Sequence, residues 1–197
     1  MIDPESTTNP LERQTDEELI VGFQKGISEA FDLLVSRYKD PLTNYVFRFL
    51  GDWDDCSDVV QETFVRVFQS RDSYKPIAKF STWIYTIATN VAKSRLRRKG
   101  FMQVFSFMSK RDDDNGAYDV ADESSRADLR LESSMEEERI QKALDALPLK
   151  YRQVALLRDV QEMSYEEIAG ITGLSLGTVK SRINRARQKL QEMLKDG

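Results

Sequence analysis

Apolar residues recur at intervals of three and four along nearly every informative stretch of the chain, and nowhere do they alternate strictly between hairpin signals. An apolar residue every third or fourth position makes one face of a helix, whereas a half-buried strand needs a period of two. The expected fold class is therefore all-α. At 197 residues and 40% hydrophobic content the chain can bury one sizeable core or two small ones.

A first helix is expected near 16–25, then one from Ser28 carrying Phe31, Leu34, Val35 and Tyr38, with Pro41 kinking or restarting it before Leu42, Tyr45, Val46 and Phe49. A turn at 51–54 precedes a helix over about 55–69, with Val60, Phe64 and Val67 inward. Ser81 can cap a long helix whose buried stripe is Ile84, Ile87, Ala88 and Val91. Helicity resumes from Ser134, with Ile140, Ala143, Leu144 and Leu147 on one face, and Pro148 opens the next helix, which holds Val154, Leu156 and Leu157.

The net charge of −4 hides a strong segregation. Residues 90–101 carry Lys93, Arg95, Arg97, Arg98 and Lys99 with no acid, and residues 174–191 carry Lys180, Arg182, Arg185, Arg187 and Lys189 with none. Between them, residues 112–138 set eleven carboxylates against Arg126 and Arg130. The stretch SKRDDDNGAYDVADESSRAD lacks apolar periodicity and reads as a flexible acidic linker. The expected layout is a disordered tail at 1–15, a helical domain at 16–102, the linker at 103–134 and a smaller helical domain at 135–197.

One cysteine, Cys56, permits no intrachain disulfide, and the absence of histidine removes the usual zinc combinations and the commonest general base. No metal, cofactor or catalytic residue is expected. The acids Asp52, Asp54, Asp55 and Asp58 crowd a helix start, where the dipole stabilises them. The N-terminus has no apolar leader and no stretch suits a membrane span, so the reading is of a soluble cytoplasmic protein.

Ser164-Tyr-Glu-Glu167 is a capping box that fixes a helix start. Gly173 suits a tight left-handed turn, Ser175 is a second N-cap, and Val179, Ile183, Ala186 and Leu190 step along one buried face. The pattern is a helix-turn-helix over about 165–184. A solvated amphipathic helix also explains a lone basic stripe, but the turn glycine, the doubled caps and the small Ala169 favour a reader of duplex DNA. Its candidate contacts are Thr178, Lys180, Ser181, Arg182, Asn184 and Arg185.

Trp83, Asn90 and Arg97 lie seven apart and share a stripe beside the buried one. With Tyr74, Phe80, Tyr85 and Lys93 they offer aromatic faces, an amide and cations, the ingredients of a single-strand site. Core closure is the better account of Phe80 and Tyr85, and it stands level with the single-strand reading for Trp83 and Asn90. The helix at 58–68 turns Gln61, Glu62 and Val65 outward, which suits a helical partner or plain solvent.

Four segments in order, DVVQETFVRVF at 58–68, FSTWIYTIATNVAKSRLRR at 80–98, ALPLKYRQVALLRDVQEMSYEEIA at 146–169 and LGTVKSRINRARQKL at 176–190, are similar to the extracytoplasmic-function bacterial sigma factors. That resemblance implies a non-catalytic specificity subunit of RNA polymerase, built from sigma regions 2 and 4, that directs promoter-specific initiation. It implies docking on the β′ clamp helices through Asp58, Gln61, Glu62 and Val65, and contact with the β flap. It implies minus-ten recognition and melting by Tyr74, Trp83, Asn90, Lys93 and Arg97, with Asn90 at a flipped base, and minus-thirty-five recognition by Thr178, Lys180, Ser181, Arg182, Asn184 and Arg185. It further implies service in an envelope or stress response under an anti-sigma factor, which can hold the protein at the inner membrane face.

Overall fold

Thr15 opens the first helix: its hydroxyl accepts from the Glu18 amide at 3.2 Å while the Glu18 carboxylate accepts the Thr15 amide at 2.8 Å. The structure is a computed structural model describing residues 10–109 and 131–195. The expected tail at 1–15 falls mostly outside these residues, and so does the expected linker between 110 and 130.

Helix α1 (Asp16–Gln24) buries Leu19, Ile20 and Phe23. Helix α2 (Ser28–Leu50) runs unbroken through Pro41. The proline leaves the Arg37 carbonyl without its helical donor, a cost of about 3 kcal/mol. Leu34 on one side of it and Leu42, Tyr45 and Phe49 on the other bury into the same core, which keeps the helix continuous. Gly51, at φ 72°, ends the helix by donating to the Phe47 carbonyl at 2.7 Å.

Helix α3 (Trp53–Ser70) starts two residues before the expected point because Asp52 caps it, accepting from the Asp54 and Asp55 amides at 3.0 and 3.1 Å. It buries Cys56, Val59, Val60 and Val67, while Phe64 is half-buried. Helix α4 (Phe80–Ser109) buries Phe80, Ile84, Tyr85, Ala88, Val91 and Ala92. Ser81 does not cap it. The Phe80 amide instead donates at 2.8 Å to the Glu17 carboxylate, supplied by α1.

The C-terminal half comprises α5 (Leu131–Ala146), α6 (Leu149–Ala155), a π-helical turn at Leu156–Val160, α7 (Tyr165–Thr172) and α8 (Leu176–Lys195). The helical backbone therefore enters the expected linker at both ends, to Ser109 and from Leu131. Among the described residues there is no strand, and no helix is long and apolar enough to cross a membrane.

The two helical halves share one continuous core, with Phe49, Ile84 and Leu157 in the same buried cluster. Arg152 is the polar pin of this seam. It is 9% exposed and donates to the Phe49 carbonyl in the last turn of α2 at 2.8 Å and to the Asp145 carbonyl at 2.6 Å, with the Asp145 carboxylate 3.1 Å away. A cation at a helix C-terminus also meets the negative end of the dipole. Burial lowers the arginine's pKa, and the Asp145 charge works against that shift. A Cβ at Gly51 would sit 2.8 Å from the Asp145 carboxylate. Tyr85 donates to the Gln161 side chain, and Lys79 meets Glu167 at 2.9 Å.

Arg152→Ala leaves the Phe49 carbonyl buried without its donor and is expected to lower stability by about 1–3 kcal/mol in urea unfolding. Gly51→Ala is expected to cost on the order of 1–2 kcal/mol from its left-handed backbone, before the Asp145 contact is counted. An unchanged midpoint in Arg152→Ala would show that the seam is not populated in solution.

Candidate nucleic-acid interface

The recognition unit forms as its sequence signals require. The Glu167 amide donates to the Ser164 hydroxyl at 3.2 Å and the Ser164 amide to the Glu167 carboxylate at 2.8 Å. Gly173 turns the chain at φ 69°, and the Ser175 hydroxyl caps α8 by accepting from the Thr178 amide at 3.3 Å. Val179, Ile183 and Ala186 are fully buried. Lys180, Ser181, Asn184 and Arg185 are exposed, and Thr178 and Arg182 are half-exposed. All six expected residues therefore lie on α8, away from its buried stripe. Two carry internal bonds: the Thr178 hydroxyl lies 2.9 Å from that of Ser175, and Ser181 donates to the Thr178 carbonyl at 3.0 Å.

Neighbours invisible in the local pattern shape this surface. Lys180 and Arg158 both lie over the Tyr165 ring, 5.6 and 5.1 Å from its centroid. The Arg185 guanidinium beside the Tyr151 hydroxyl, with Lys150 and Lys189, holds that phenol's pKa below its ordinary value. Arg187 pairs with Asp159 and so ties α8 to the π-helical turn.

The basic end of α4 is divided by helical register. Arg95 meets Asp55 at 2.5 Å and Asp58 at 2.9 Å, and Lys99 meets Asp52 at 2.7 Å and also pairs with Asp55. The acids at the start of α3 thus have a further role: they anchor two of the five cations. Lys99 holds the Asp52 carboxyl below its ordinary range. Arg97 and Arg98 stay exposed on the other side, as does Asn90, and Arg97 donates to the Ser94 hydroxyl at 3.0 Å. Lys93 is half-buried; burial lowers its pKa, and the charges of Arg97 and Arg182 add to the effect. Arg182 of α8 thus acts on Lys93 of α4, one residue from each of the two expected DNA-reading faces.

Tyr74 is buried at 4% exposure, and its hydroxyl donates to the Ala78 carbonyl at 2.8 Å. Its ring packs on Phe80 and Trp83 at 5.9 and 5.3 Å, so it shapes the loop over 74–79 and offers no open face to a base. Trp83 is half-buried in the same cluster. The residue presented at the loop tip is Ile77, 89% exposed, which sequence reading missed although an apolar residue beside Pro76 in a polar loop was its signal.

On α3, Gln61 and Val65 are exposed and Glu62 is occupied by Arg66 at 2.6 Å. Asp58 keeps 63% of its side chain exposed despite Arg95. Phe68, also missed, is 47% exposed and packs edgewise on Phe31 and at a tilt on Phe23. No group of carboxylate or cysteine side chains suited to a metal occurs among the described residues.

Among the described residues these features define an all-helical protein with two basic, helix-borne faces and a mixed polar-apolar outer face on α3. Family comparison identifies the halves: residues 34–101 match sigma-70 region 2, and residues 137–190 match sigma-70 region 4. The chain is 35% identical over 183 residues to the ECF RNA polymerase sigma-E factor of Escherichia coli K12, covering 91% of this chain and 94% of that protein. It is 36% identical over 165 residues to the ECF sigma factor SigE of Mycolicibacterium smegmatis, covering 84% of this chain and 62% of that one. The chain belongs to the extracytoplasmic-function family of RNA polymerase sigma factors. Among solved structures it is similar to CnrH in complex with the cytosolic domain of CnrY, with TM-score 0.71 and 27% identity over 93% of this chain and 99% of that one. It is also similar to the Bartonella quintana sigma factor RpoE in complex with the anti-sigma factor NepR, with TM-score 0.64 and 28% identity over 84% and 96%.

Two predictions separate the cations. Arg97→Ala is expected to reduce the salt slope of promoter complexes by about one without moving the thermal midpoint, whereas Arg95→Ala lowers the midpoint and leaves the slope unchanged. The reverse pattern would contradict the division. Because the folded-state pKa of Asp52 is depressed, its contribution is complete above the ordinary aspartate value of about 4 and is lost as pH falls through the lower folded value. Asp52→Asn retains the N-cap oxygen but loses the Lys99 pair, so its stability should fall less steeply in acid than that of the wild type; identical acid profiles would discount the pair.

Proposed function

We propose that the chain binds core RNA polymerase and directs promoter-specific initiation by a two-point grip, with no catalysis of its own. The observation that carries this reading is the presence of two separate basic helices, each with exposed cations on a face away from its core: Arg97 and Arg98 on α4, and Lys180 and Arg185 on α8. In this reading α8 enters the major groove of a minus-thirty-five element through Lys180, Ser181, Arg182, Asn184 and Arg185, with Thr178 near the backbone. Trp83, Asn90, Lys93 and Arg97 of α4 receive the displaced minus-ten strand, with Tyr74 holding the loop beside them.

The outer face of α3, with Asp58, Gln61, Glu62 and Val65, serves for docking on the β′ clamp helices, and the C-terminal domain meets the β flap. The domain layout follows: region 2 over 16–102, a connector over 103–134 and region 4 from 135. The protein works in the cytoplasm, where the polymerase is. CnrH and the Bartonella RpoE were each solved with a bound partner, the latter an anti-sigma factor. By analogy an anti-sigma partner holds this chain inactive, at the inner membrane face where that partner is anchored, and its release serves an envelope or stress response.

The two elements lie roughly 25 base pairs apart, on the order of 85 Å of duplex. Lys93 and Arg182 are close enough here for their charges to interact. The seam pinned by Arg152 must therefore open before both elements are held.

In reconstituted transcription with core polymerase, the chain is expected to start transcripts at a two-element promoter. Arg185→Ala should weaken dependence on the upstream element by about tenfold, within the range for one bidentate base contact, while Asn90→Ala should slow strand opening downstream. Failure to co-purify with core polymerase at any salt concentration would overturn the reading.

A further inference from the structure

The loop over 74–79, with Ile77 at its tip, is held at both ends by a helix that makes no part of either basic face. At its start, the Gln24 side-chain amide of α1 donates to the Arg71 carbonyl at 2.7 Å and to the Tyr74 carbonyl at 3.0 Å. At its end, Glu17 of the same helix accepts the Phe80 amide at 2.8 Å and so caps α4. Arg71 itself is clasped between the Phe23 and Phe68 rings, 5.2 Å from each centroid.

Helix α1 is well fixed to do this. The Thr15–Glu18 capping box sets its start, and Leu19, Ile20 and Phe23 are buried. Asp16 accepts from the Tyr38 hydroxyl at 2.6 Å and from Arg37 at 2.7 Å on α2. It also lies outside residues 34–101, the segment that matches region 2.

We propose that α1 is a positioning brace for capture of the unpaired strand: Glu17 and Gln24 fix the separation and aim of the two ends of the 74–79 loop, and so set the accuracy and rate of promoter opening without touching DNA. The physical basis is the number of chain bonds left free. Six residues between two unpinned ends sample many conformers, whereas pinned ends leave the tip a narrow range, and capture of a base depends steeply on placement. The inference rests on the reading that this loop and α4 meet the minus-ten strand.

The test uses full-length chain assembled with core polymerase and a single-stranded minus-ten oligonucleotide in matched and mutated sequence. Glu17→Ala and Gln24→Ala are expected to lose roughly ten- to a hundredfold in discrimination between the two oligonucleotides, with affinity for core polymerase unchanged. Glu17→Gln keeps a carbonyl oxygen for the Phe80 amide and is expected to behave as wild type, an outcome that general destabilisation would not produce. Hydrogen exchange at 75–79 should rise in the two alanine variants while α8 stays protected. Undiminished discrimination in both alanine variants alongside a loss in Asn90→Ala overturns the brace alone. Undiminished discrimination in Asn90→Ala as well overturns the strand-capture reading and the brace with it. Parallel loss of core affinity, or equal impairment of Glu17→Gln and Glu17→Ala, also overturns the brace.

Discussion

A guanidinium buried at the end of a helix decides how the rest of this molecule is arranged. Arg152 of α6 reaches the Phe49 carbonyl of α2, and around that bond the two domains join their cores. Burying a cation is costly unless its donors are used. Here two carbonyls and one carboxylate engage it, while its Nε is left without a partner. A join of this kind is specific in geometry yet modest in net energy, which suits an interface that closes in one state and parts in another. The like charges of Lys93 and Arg182, brought together by the same join, push the other way.

Within the N-terminal domain, register performs the equivalent sorting of charge. Cations four residues apart on α4 share a face. Arg95 and Lys99 are consumed by the acidic start of α3, which locks the two helices, and Arg97 with Asn90 is left facing out. Much the same logic governs α8, where Arg187 pairs with Asp159 while Lys180 rests on the Tyr165 ring and Arg185 lies beside the Tyr151 hydroxyl. Resting a long cation on a ring limits the conformers it must give up when it meets a phosphate or a base edge. The basic character of a helix is therefore a poor count of its DNA contacts, and the partners of each cation are the better one.

What the sequence made legible was whatever neighbouring residues decide among themselves. The helix-turn-helix is the clearest case: Ser164, Glu167, Gly173 and Ser175 act within a few residues of one another, and each takes its expected role. The buried stripes of α2, α3 and α4 followed from spacing alone, because a helix must hide one face. The misreadings all involve distant partners. Ser81 looked like a cap, but the cap came from Glu17 on another helix. Pro41 signalled a kink or a restart, and burial on both sides of it ruled out the restart by keeping the helix continuous. Tyr74 looked like a stacking surface until Phe80 and Trp83 enclosed it. Arg152 gave no local signal, since only the fold brings the end of α2 to it.

Closure and grip cannot coexist in one conformation, and that incompatibility can be read as a distance. Dyes placed at Gly100 on α4 and Gln188 on α8, both exposed and outside the proposed contacts, should show high energy transfer in the free chain. Transfer should be lost when core polymerase and a two-element promoter are both present. The account predicts that loss, together with partial loss in Arg152→Ala without polymerase. Transfer that stays high in an active promoter complex would contradict it, because the two faces could not then be holding separate elements.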